Sequence, residues 1–144
     1  MDMVCKTLTI GDYDRIISLW GRAGLPFKPN GRDSREMIAA EMSRDYCSFF
    51  GFFQDNEMLV VGIASYDGRR GWINRVAVDP DYRGAGLGGR MIEECEKFIG
   101  QFGEVVPCAL IEEENVPSMA CFKKSGFVCE NTIKYWTKRP RADL

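Results

Sequence analysis

Four glycines and two arginines stand close together between residues 83 and 90, in an order that suits phosphate binding. The glycines are Gly84, Gly86, Gly88 and Gly89, and they stand between Arg83 and Arg90. Glycine lets the backbone approach a ligand closely, and the first turn of a helix leaves unpaired N–H groups that point outward. Those donors and the positive end of the helix dipole favour a pyrophosphate. The segment therefore predicts an anion site at the start of a helix.

Two familiar phosphate-binding patterns fit this segment poorly. Gly84, Gly86 and Gly89 match Gly-x-Gly-x-x-Gly, the pattern of dinucleotide-binding folds. In those folds the first glycine follows its strand almost directly, whereas residues 79–83 intervene here, and too few residues remain for repeated βαβ units. A nucleotide P-loop needs Gly-Lys followed by Ser or Thr, but this chain has Gly89-Arg90-Met91. The dinucleotide pattern is thus disfavoured and the P-loop is excluded.

Composition narrows the possible chemistry further. The chain has 144 residues, a formal net charge of −2, six cysteines and no histidine. Mixed Cys/His zinc sites and a histidine general base are therefore excluded, and we expect no metal site. The cysteines form no Cys-x-x-Cys pair and mostly stand in apolar runs, which indicates reduced thiols. Charges of both signs are interspersed, so we expect no nucleic-acid partner.

Length and hydropathy predict one cytoplasmic domain. A chain of this size fits a single ordinary domain, so we expect residues 1–144 to fold as one unit. Its apolar stretches are shorter than the roughly 20 residues that span a bilayer, and no membrane partner is expected. The first residues, Met-Asp-Met-Val-Cys-Lys, lack the basic region and apolar run of a secretory signal.

The spacing of apolar residues predicts a mixed α/β fold. Strands are predicted at 4–10, 48–54, 58–66, 71–78 and 105–111, with a closing hairpin of 127–129 and 133–136. Helices are predicted from Asp12 to Gly24, from Asp33 onward, over 86–102 and from Asn115 to Lys124, with Asp12, Asp33 and Asn115 as caps. Two hairpin turns make the first half antiparallel, whereas the strand–helix–strand unit over 71–111 requires a parallel pair.

Two segments resemble the signatures of the GNAT family of N-acetyltransferases. Residues 83–88 have the form Arg/Gln-x-x-Gly-x-Gly/Ala, and Val-Ala-Val-Asp-Pro precedes them, like the strand before this loop in the family. Downstream, the order of Asn, a small residue, usually Tyr, and then Gly-Phe is matched by Asn115, Ser118, Phe122, Gly126 and Phe127. The resemblance covers nearly the whole chain. It implies the GNAT fold, a mostly antiparallel sheet with one parallel, splayed pair and flanking helices.

By this resemblance the acyl donor is acetyl-CoA. Its pyrophosphate would bind the loop 83–89, and its pantetheine arm would run beside residues 76–78, where the strand separates from its neighbour. The N–H of Val76 would polarise the thioester carbonyl. Asn115 would contact the cofactor arm, although helix capping explains it equally well. The implied cofactor-binding residues are Val76, Ala77, Val78, Arg83, Gly84, Ala85, Gly86, Leu87, Gly88, Gly89, Asn115, Ser118 and Phe122.

The groups that would move protons are less clear, because this chain departs from the family pattern. The resemblance implies direct attack of an amine on the thioester, usually helped by a glutamate base and a tyrosine acid. Those positions hold Asn74, which can only orient a water, and Phe122, which has no proton to give. Substitutes are Glu112, with its neighbours 113 and 114, as base and Tyr66 or Tyr135 as acid; Ser118 and Cys121 stand near the expected thiol. Solvated loop charges and core tyrosines are the alternatives.

The acceptor and the activity both stay open at this point. The resemblance assigns acceptor binding to the first helices and their loop, where the candidates are Phe27, Lys28, Arg32 and Asp33. A cation there suits an acidic acceptor and Asp33 suits an amine, so the sequence does not choose. One hypothesis is an N-acetyltransferase for a small amine or a protein N-terminus. The other is a non-catalytic acyl-CoA-binding or sensing module, which the residues at 74 and 122 favour. The family also makes a homodimer possible.

Overall fold

One mixed sheet forms the centre of the computed structural model, which describes residues 2–144. Its strands, in spatial as well as chain order, are β1 (Val4–Thr7), β2 (Cys47–Gln54), β3 (Glu57–Tyr66), β4 (Gly71–Val78) and β5 (Pro107–Cys108). The pairs from β1 to β4 are antiparallel, and β4 and β5 are parallel. The predicted mixed sheet with one parallel pair is therefore confirmed.

Helices cover both faces of the sheet. They are α1 (Tyr13–Ala23), α2 (Arg35–Met42), α3 (Leu87–Gly100) and α4 (Val116–Lys124), with short 3-10 turns at Ile10–Asp12 and Pro80–Tyr82. On one face α1 and α2 bury an apolar cluster centred on Trp20, Ile38 and Phe49. On the other face α3 and α4 bury a second cluster that includes Met91 and Phe122. Among residues 2–144, no helix is long and apolar enough to cross a bilayer.

Three predicted element boundaries are wrong. Strand β1 ends at Thr7 rather than residue 10, because Asp12 accepts the N–H of Thr9 at 3.0 Å and closes a 3-10 turn. The cap of α2 is Ser34, whose hydroxyl accepts the N–H of Met37 at 3.2 Å, and not Asp33. Strand β5 has two residues instead of seven.

The predicted C-terminal hairpin is also absent from the described chain. Residues 127–136 form no strand, and their apolar side chains are exposed, with Trp136 at 88% and Ile133 at 73%. Because β5 is only two residues long, it offers little edge on which a hairpin could pair.

A bulge interrupts the pairing of β3 with β4. Val61 lies opposite Ala77, but Ile63 lies opposite Asn74, so Gly62 faces both Arg75 and Val76. The extra residue, Arg75, has a φ of 57°, in the left-handed region. The bulge reverses the alternation of side chains, so that residues 76 and 78 join 73 on the α3 face.

Candidate active site

A cleft of about 620 Å³ opens at the C-terminal end of β4. Its walls are β4, the loop that leads into α3, the first turns of α3, and one side of α4; the end of α1 closes it. The residues that line the cleft include Ala23, Leu25, Val76, Ala77, Val78, Arg83, Gly84, Gly86, Leu87, Gly88, Gly89, Arg90, Asn115, Ser118, Cys121 and Ser125. Most of the residues expected to bind the cofactor therefore lie together.

The glycine segment has the backbone shape of an anion site. Gly84 and Gly86 have φ values of 84° and 77°, which glycine adopts without strain. Gly86 is the N-cap of α3, and space is open where a Cβ would stand on either glycine. The first N–H groups of α3 lack partners within the helix, and the helix dipole adds positive potential there. A pyrophosphate fits this wall of the cleft.

Gly88 has a different role from its neighbours. A Cβ at this position would lie 2.8 Å from the Cys121 sulfur, closer than real side chains approach. By contrast, the nearest neighbour of a Cβ at Gly89 would be the Ser125 hydroxyl, at 3.9 Å. Gly88 thus allows α4 to pack against the start of α3, and its absent side chain serves the protein's own packing.

Two contacts fasten the glycine segment to α1. Asp79, 5% exposed, accepts the N–H of Asp81 at 3.0 Å and the Nε–H of Arg22 at 3.1 Å. Arg83 donates from Nη2 to the carbonyl of Ala23 at 3.2 Å, and its side chain otherwise faces solvent. The end of α1 and the anion loop are therefore held as one unit.

In the part of the chain that the structure describes, Val76 has no strand partner on the β5 side of β4. Residues 75 and 76 have no partner in register on β3 or β5 within residues 2–144. Strand β5 pairs only with Gly71 and Trp72, so β4 continues alone beyond that point. Because Val76 lines the cleft, this unpaired edge of β4 faces a group bound there.

Asn115 caps α4 at the edge of the cleft. Its side-chain oxygen accepts the N–H of Ser118 at 3.2 Å, which makes it the N-cap of α4. Asn115 and Ser118 also line the cleft.

The predicted proton-transfer residues do not meet in the cleft. Tyr66 lies opposite Gly71, at the far end of β4, and stacks on Phe102 with ring centroids 4.5 Å apart. Tyr135 is 69% exposed in the C-terminal segment, and Glu112 is exposed before α4. Asn74 pairs with Ile63 and shares its sheet face, which is the face that α1 and α2 cover.

Phe122 lies in the core and does not line the cleft. It is 4% exposed and meets the Phe127 ring edge-on, with centroids 5.0 Å apart. The adjacent residue on α4, Cys121, is the one that faces the cleft. The helix thus directs Ser118 and Cys121, both expected near the thiol, to the cleft, whereas Phe122, expected to bind the cofactor, is directed to the core.

The acceptor candidates lie on the loop between α1 and α2. Asp33 is 6% exposed and accepts the N–H of Lys28 at 2.7 Å. Phe27 packs against the cluster around Trp20, whereas the side chain of Arg32 is exposed. Lys28 is half-buried, and the Nε of the exposed Arg32 lies 3.8 Å from the buried Asp33 carboxylate.

Sequence reasoning missed Arg75, the charged residue in the middle of β4. It lies 4.3 Å from the Trp20 ring, and 4.0 Å separate its Nη2 from the Asp33 carboxylate. Burial lowers the pKa of Arg75 from its ordinary value. The available signal was the arginine itself, since β4 has no other charged residue.

The comparison with known proteins agrees with this geometry. Residues 14–127 match the model of the acetyltransferase (GNAT) family. This chain belongs to that family. Acetyltransferase SG1711 of Sodalis glossinidius (strain morsitans) is 25% identical to this acetyltransferase over 128 residues, 89% of each chain. The family uses acetyl-CoA as acyl donor, and the open glycines, the α3 N-terminus and Arg83 suit its pyrophosphate.

Solved structures share the fold at low sequence identity. The PaiA N-acetyltransferase of Thermoplasma acidophilum, in complex with coenzyme A, has a TM-score of 0.78 and 20% identity over 92% of this chain and 94% of its own. AAC(6')-Iy, in complex with the bisubstrate analogue CoA-S-monomethyl-acetylneamine, has a TM-score of 0.79 and 15% identity over 96% and 99%. Both similarities concern the fold of this acetyltransferase.

Proposed function

We propose that this acetyltransferase transfers the acetyl group of acetyl-CoA directly to a primary amine, on a small molecule or at a protein N-terminus. The observation that carries the proposal is the unpaired edge of β4 at Val76, which opens into the same cleft as the anion loop. One element fixes the cofactor's phosphates and the other meets its thioester.

Two sets of backbone donors divide the work. The N–H groups at the start of α3 bind the pyrophosphate, with Arg83 and Arg90 adding positive charge. The N–H of Val76 donates to the thioester oxygen, on which negative charge grows as the amine attacks. A donor placed there lowers the barrier by about 3 kcal/mol. Residues 76–78 and Asn115 hold the arm between these points.

Proton transfer in this proposal needs no dedicated acid or base. The residues predicted for it lie outside the cleft, and the polar side chains that line the cleft include Asn115, Ser118 and Cys121 at α4 and Glu93 and Glu96 on α3. Alignment of a neutral amine with an activated thioester supplies a large rate factor by itself, since effective molarities of about 10⁵ M or more are known. As the C–N bond forms and the C–S bond breaks, water ordered by Ser118 takes the proton that the amine loses, and solvent water returns a proton to the departing CoA thiolate.

The acceptor enters from the loop between α1 and α2. That loop begins at the cleft with Leu25 and carries the cations Lys28 and Arg32. Asp33 is occupied by its own loop, so it does not bind an ammonium group. Lys28 and Arg32 on this loop favour an acceptor that carries an anion beside its amine.

The test is binding followed by turnover. Thermal unfolding with acetyl-CoA, CoA or NAD at about 100 times the dissociation constant should show about 2.7 kcal/mol of stabilisation for the two CoA species only. An amine panel is then followed by mass spectrometry for N-acetyl products. An N-acetyl product from any primary amine supports the proposed acetyl transfer. Stabilisation without product from any amine would favour the non-catalytic acyl-CoA-binding module, and stabilisation by NAD alone would contradict both.

A further inference from the structure

One half-buried side chain projects from the bulge beside Val76. Arg75 stands immediately before Val76, and its side chain is 18% exposed, on the face opposite the anion loop. We propose that Arg75 is a positioning residue, which locks the acceptor loop (residues 25–33) to the bulge and thereby aims the N–H of Val76. This inference rests on the proposed function, since it assigns Val76 a thioester to meet.

The backbone at Arg75 needs an external restraint. Its φ of 57° is a conformation that side chains other than Gly, Asn and Asp rarely adopt, and it costs free energy. An unpaired strand would relax towards regular geometry and turn the following N–H away. Regular pairing would also bring residue 76 back into register with β3. Something outside the strand must therefore keep the bulge in place.

The guanidinium of Arg75 makes the contacts that supply this restraint. Its Nη2 donates to the carbonyl of Pro26 at 2.6 Å, and its plane lies 4.3 Å from the centre of the Trp20 ring. Trp20 is fully buried in α1. The side chain is thus fixed to the acceptor loop on one side and to the core on the other.

Asp33, in the acceptor loop, also contacts the Arg75 guanidinium. Its carboxylate lies 4.0 Å from Arg75 and accepts the N–H of Lys28 at 2.7 Å, while its carbonyl accepts the Tyr13 hydroxyl at 2.7 Å. Loop, α1 and β4 are therefore joined through one ion pair. A carboxylate opposite a buried guanidinium keeps the charge in place.

Two buried N–H donors without partners among residues 2–144 lower the stability of the folded protein. The Nε of Arg75 and the Nε1 of Trp20 are buried without a hydrogen-bond partner in the described chain. A purely structural cluster would gain stability from an apolar residue at 75, which would need neither donor. The retained guanidinium is explained if the position of residue 76 matters more than the stability of the core.

The decisive variant is Arg75→Gly. Glycine adopts a positive φ without strain, so the bulge stays allowed and only the guanidinium is lost. We expect kcat to fall about 10- to 100-fold, since small displacements near the reacting atoms cost rates of this order. KM for acetyl-CoA should stay within about three-fold of wild type, because the anion loop is untouched. Millimolar guanidinium ion should restore part of kcat, and equal urea should not.

A spectroscopic measurement follows Val76 without turnover. The carbonyl stretch of acetyl-CoA labelled with carbon-13 at the thioester should lie at lower frequency on wild type than on Arg75→Gly, because the hydrogen bond polarises the carbonyl. Arg44→Gly is the matched control, since Arg44 stacks on Tyr46 at the surface and should change neither quantity. If Arg75→Gly fails to fold, Arg75→Lys and Asp33→Asn carry the test; each should lower kcat and shift the band.

Wild-type kcat and an unshifted band in Arg75→Gly would overturn the inference and leave the proposed function standing. A loss of kcat that guanidinium cannot restore, with an unshifted band, would also overturn it. Wild-type protein that acetylates no amine and shows no polarised carbonyl would instead contradict the proposed function.

Discussion

The two faces of the C-terminal half of β4 differ in the groups that form the site: backbone groups on one and side chains on the other. On the α3 side, the site consists of backbone N–H groups, two left-handed glycines and a helix N-terminus. On the α1 side, it consists of side chains, with Arg75 held between Asp33 and Trp20. Acetyl-CoA is the donor that the family uses, and a site made of backbone groups suits its phosphates. On the α1 side, side chains can be substituted without disturbing the anion loop.

The difference also separates what each side contributes. The backbone side binds, since it provides positive potential and close approach over a long, charged ligand. In our proposal the α1 side orients the backbone of Val76, because its side chains fix the bulge next to that residue. Substitutions on the first side should therefore change affinity for acetyl-CoA, whereas those on the second should change kcat or acceptor preference.

The largest effect is expected for Gly86→Glu. The new side chain would place bulk and negative charge at the N-cap of α3, where the pyrophosphate binds, so affinity for acetyl-CoA should fall by more than about 100-fold. Isothermal titration calorimetry measures this directly, and circular dichroism should show a fold close to wild type.

Gly68→Glu is the matched control for that variant. Gly68 also has a positive φ, of 95°, and open space at its Cβ, but it lies in the turn between β3 and β4, away from the cleft. Both substitutions carry the same backbone cost of roughly 1 kcal/mol. Equal loss of affinity in the two variants would show that strain, and not the ligand site, explains the result.

Gly88→Ala should act on stability more than on binding. Its Cβ would stand 2.8 Å from the Cys121 sulfur, so we expect a loss of about 1–3 kcal/mol in the free energy of unfolding. Adding Cys121→Gly to the variant should recover much of this loss, because it removes the clashing atom. Urea denaturation of the single and double variants measures these changes in the free energy of unfolding. Gly89→Ala is the control, because a Cβ at that position meets no atom closer than 3.9 Å. A double variant no more stable than Gly88→Ala would contradict the packing role.

The anion loop could be predicted from sequence because glycine spacing specifies backbone shape locally. The Asp33–Arg75 pair could not, since its members stand on different elements and meet only because a bulge turns residue 75 towards α1. The cofactor contact predicted for Phe122 was wrong for a related reason. The ring packs on Phe127, and its direction depends on how α4 packs against α3 at Gly88. Local patterns predict elements and backbone sites, whereas the side chains at this site depend on tertiary register.

Thiol reactivity offers a smaller but residue-specific measure of the donor side. Burial raises the pKa of Cys47 and Cys95 to about 12, so both should resist N-ethylmaleimide at pH 7.5. Cys121 lines the cleft and Cys129 is exposed. Saturating acetyl-CoA should slow the labelling of Cys121 by about 10-fold and leave Cys129 unchanged, as peptide mass spectrometry would show. Equal protection of both would place the ligand elsewhere.

The same two buried thiols set an alkaline limit on stability. Their pKa in the folded protein lies above the ordinary value of 9.0, so the unfolded chain ionises first as the pH rises. The free energy of unfolding should therefore hold below pH 9 and fall progressively as the pH rises towards 12. Thermal melts of Cys47→Ala and Cys95→Ala should show a weaker dependence over this range; an unchanged dependence would contradict the assignment.

The smallest effect is expected on the acceptor side, from the charge of the loop. Two peptides that share an N-terminal alanine, one followed by acidic and one by basic residues, present the same amine in opposite electrostatic surroundings. Arg32 is exposed and Asp33 is buried, so the acidic peptide should have the higher kcat/KM by about three- to ten-fold, a ratio that falls with added salt. Arg32→Glu should reduce or reverse the ratio without changing affinity for acetyl-CoA. A wild-type preference for the basic peptide would mean that the acidic residues 112–114, across the splay, dominate acceptor binding instead.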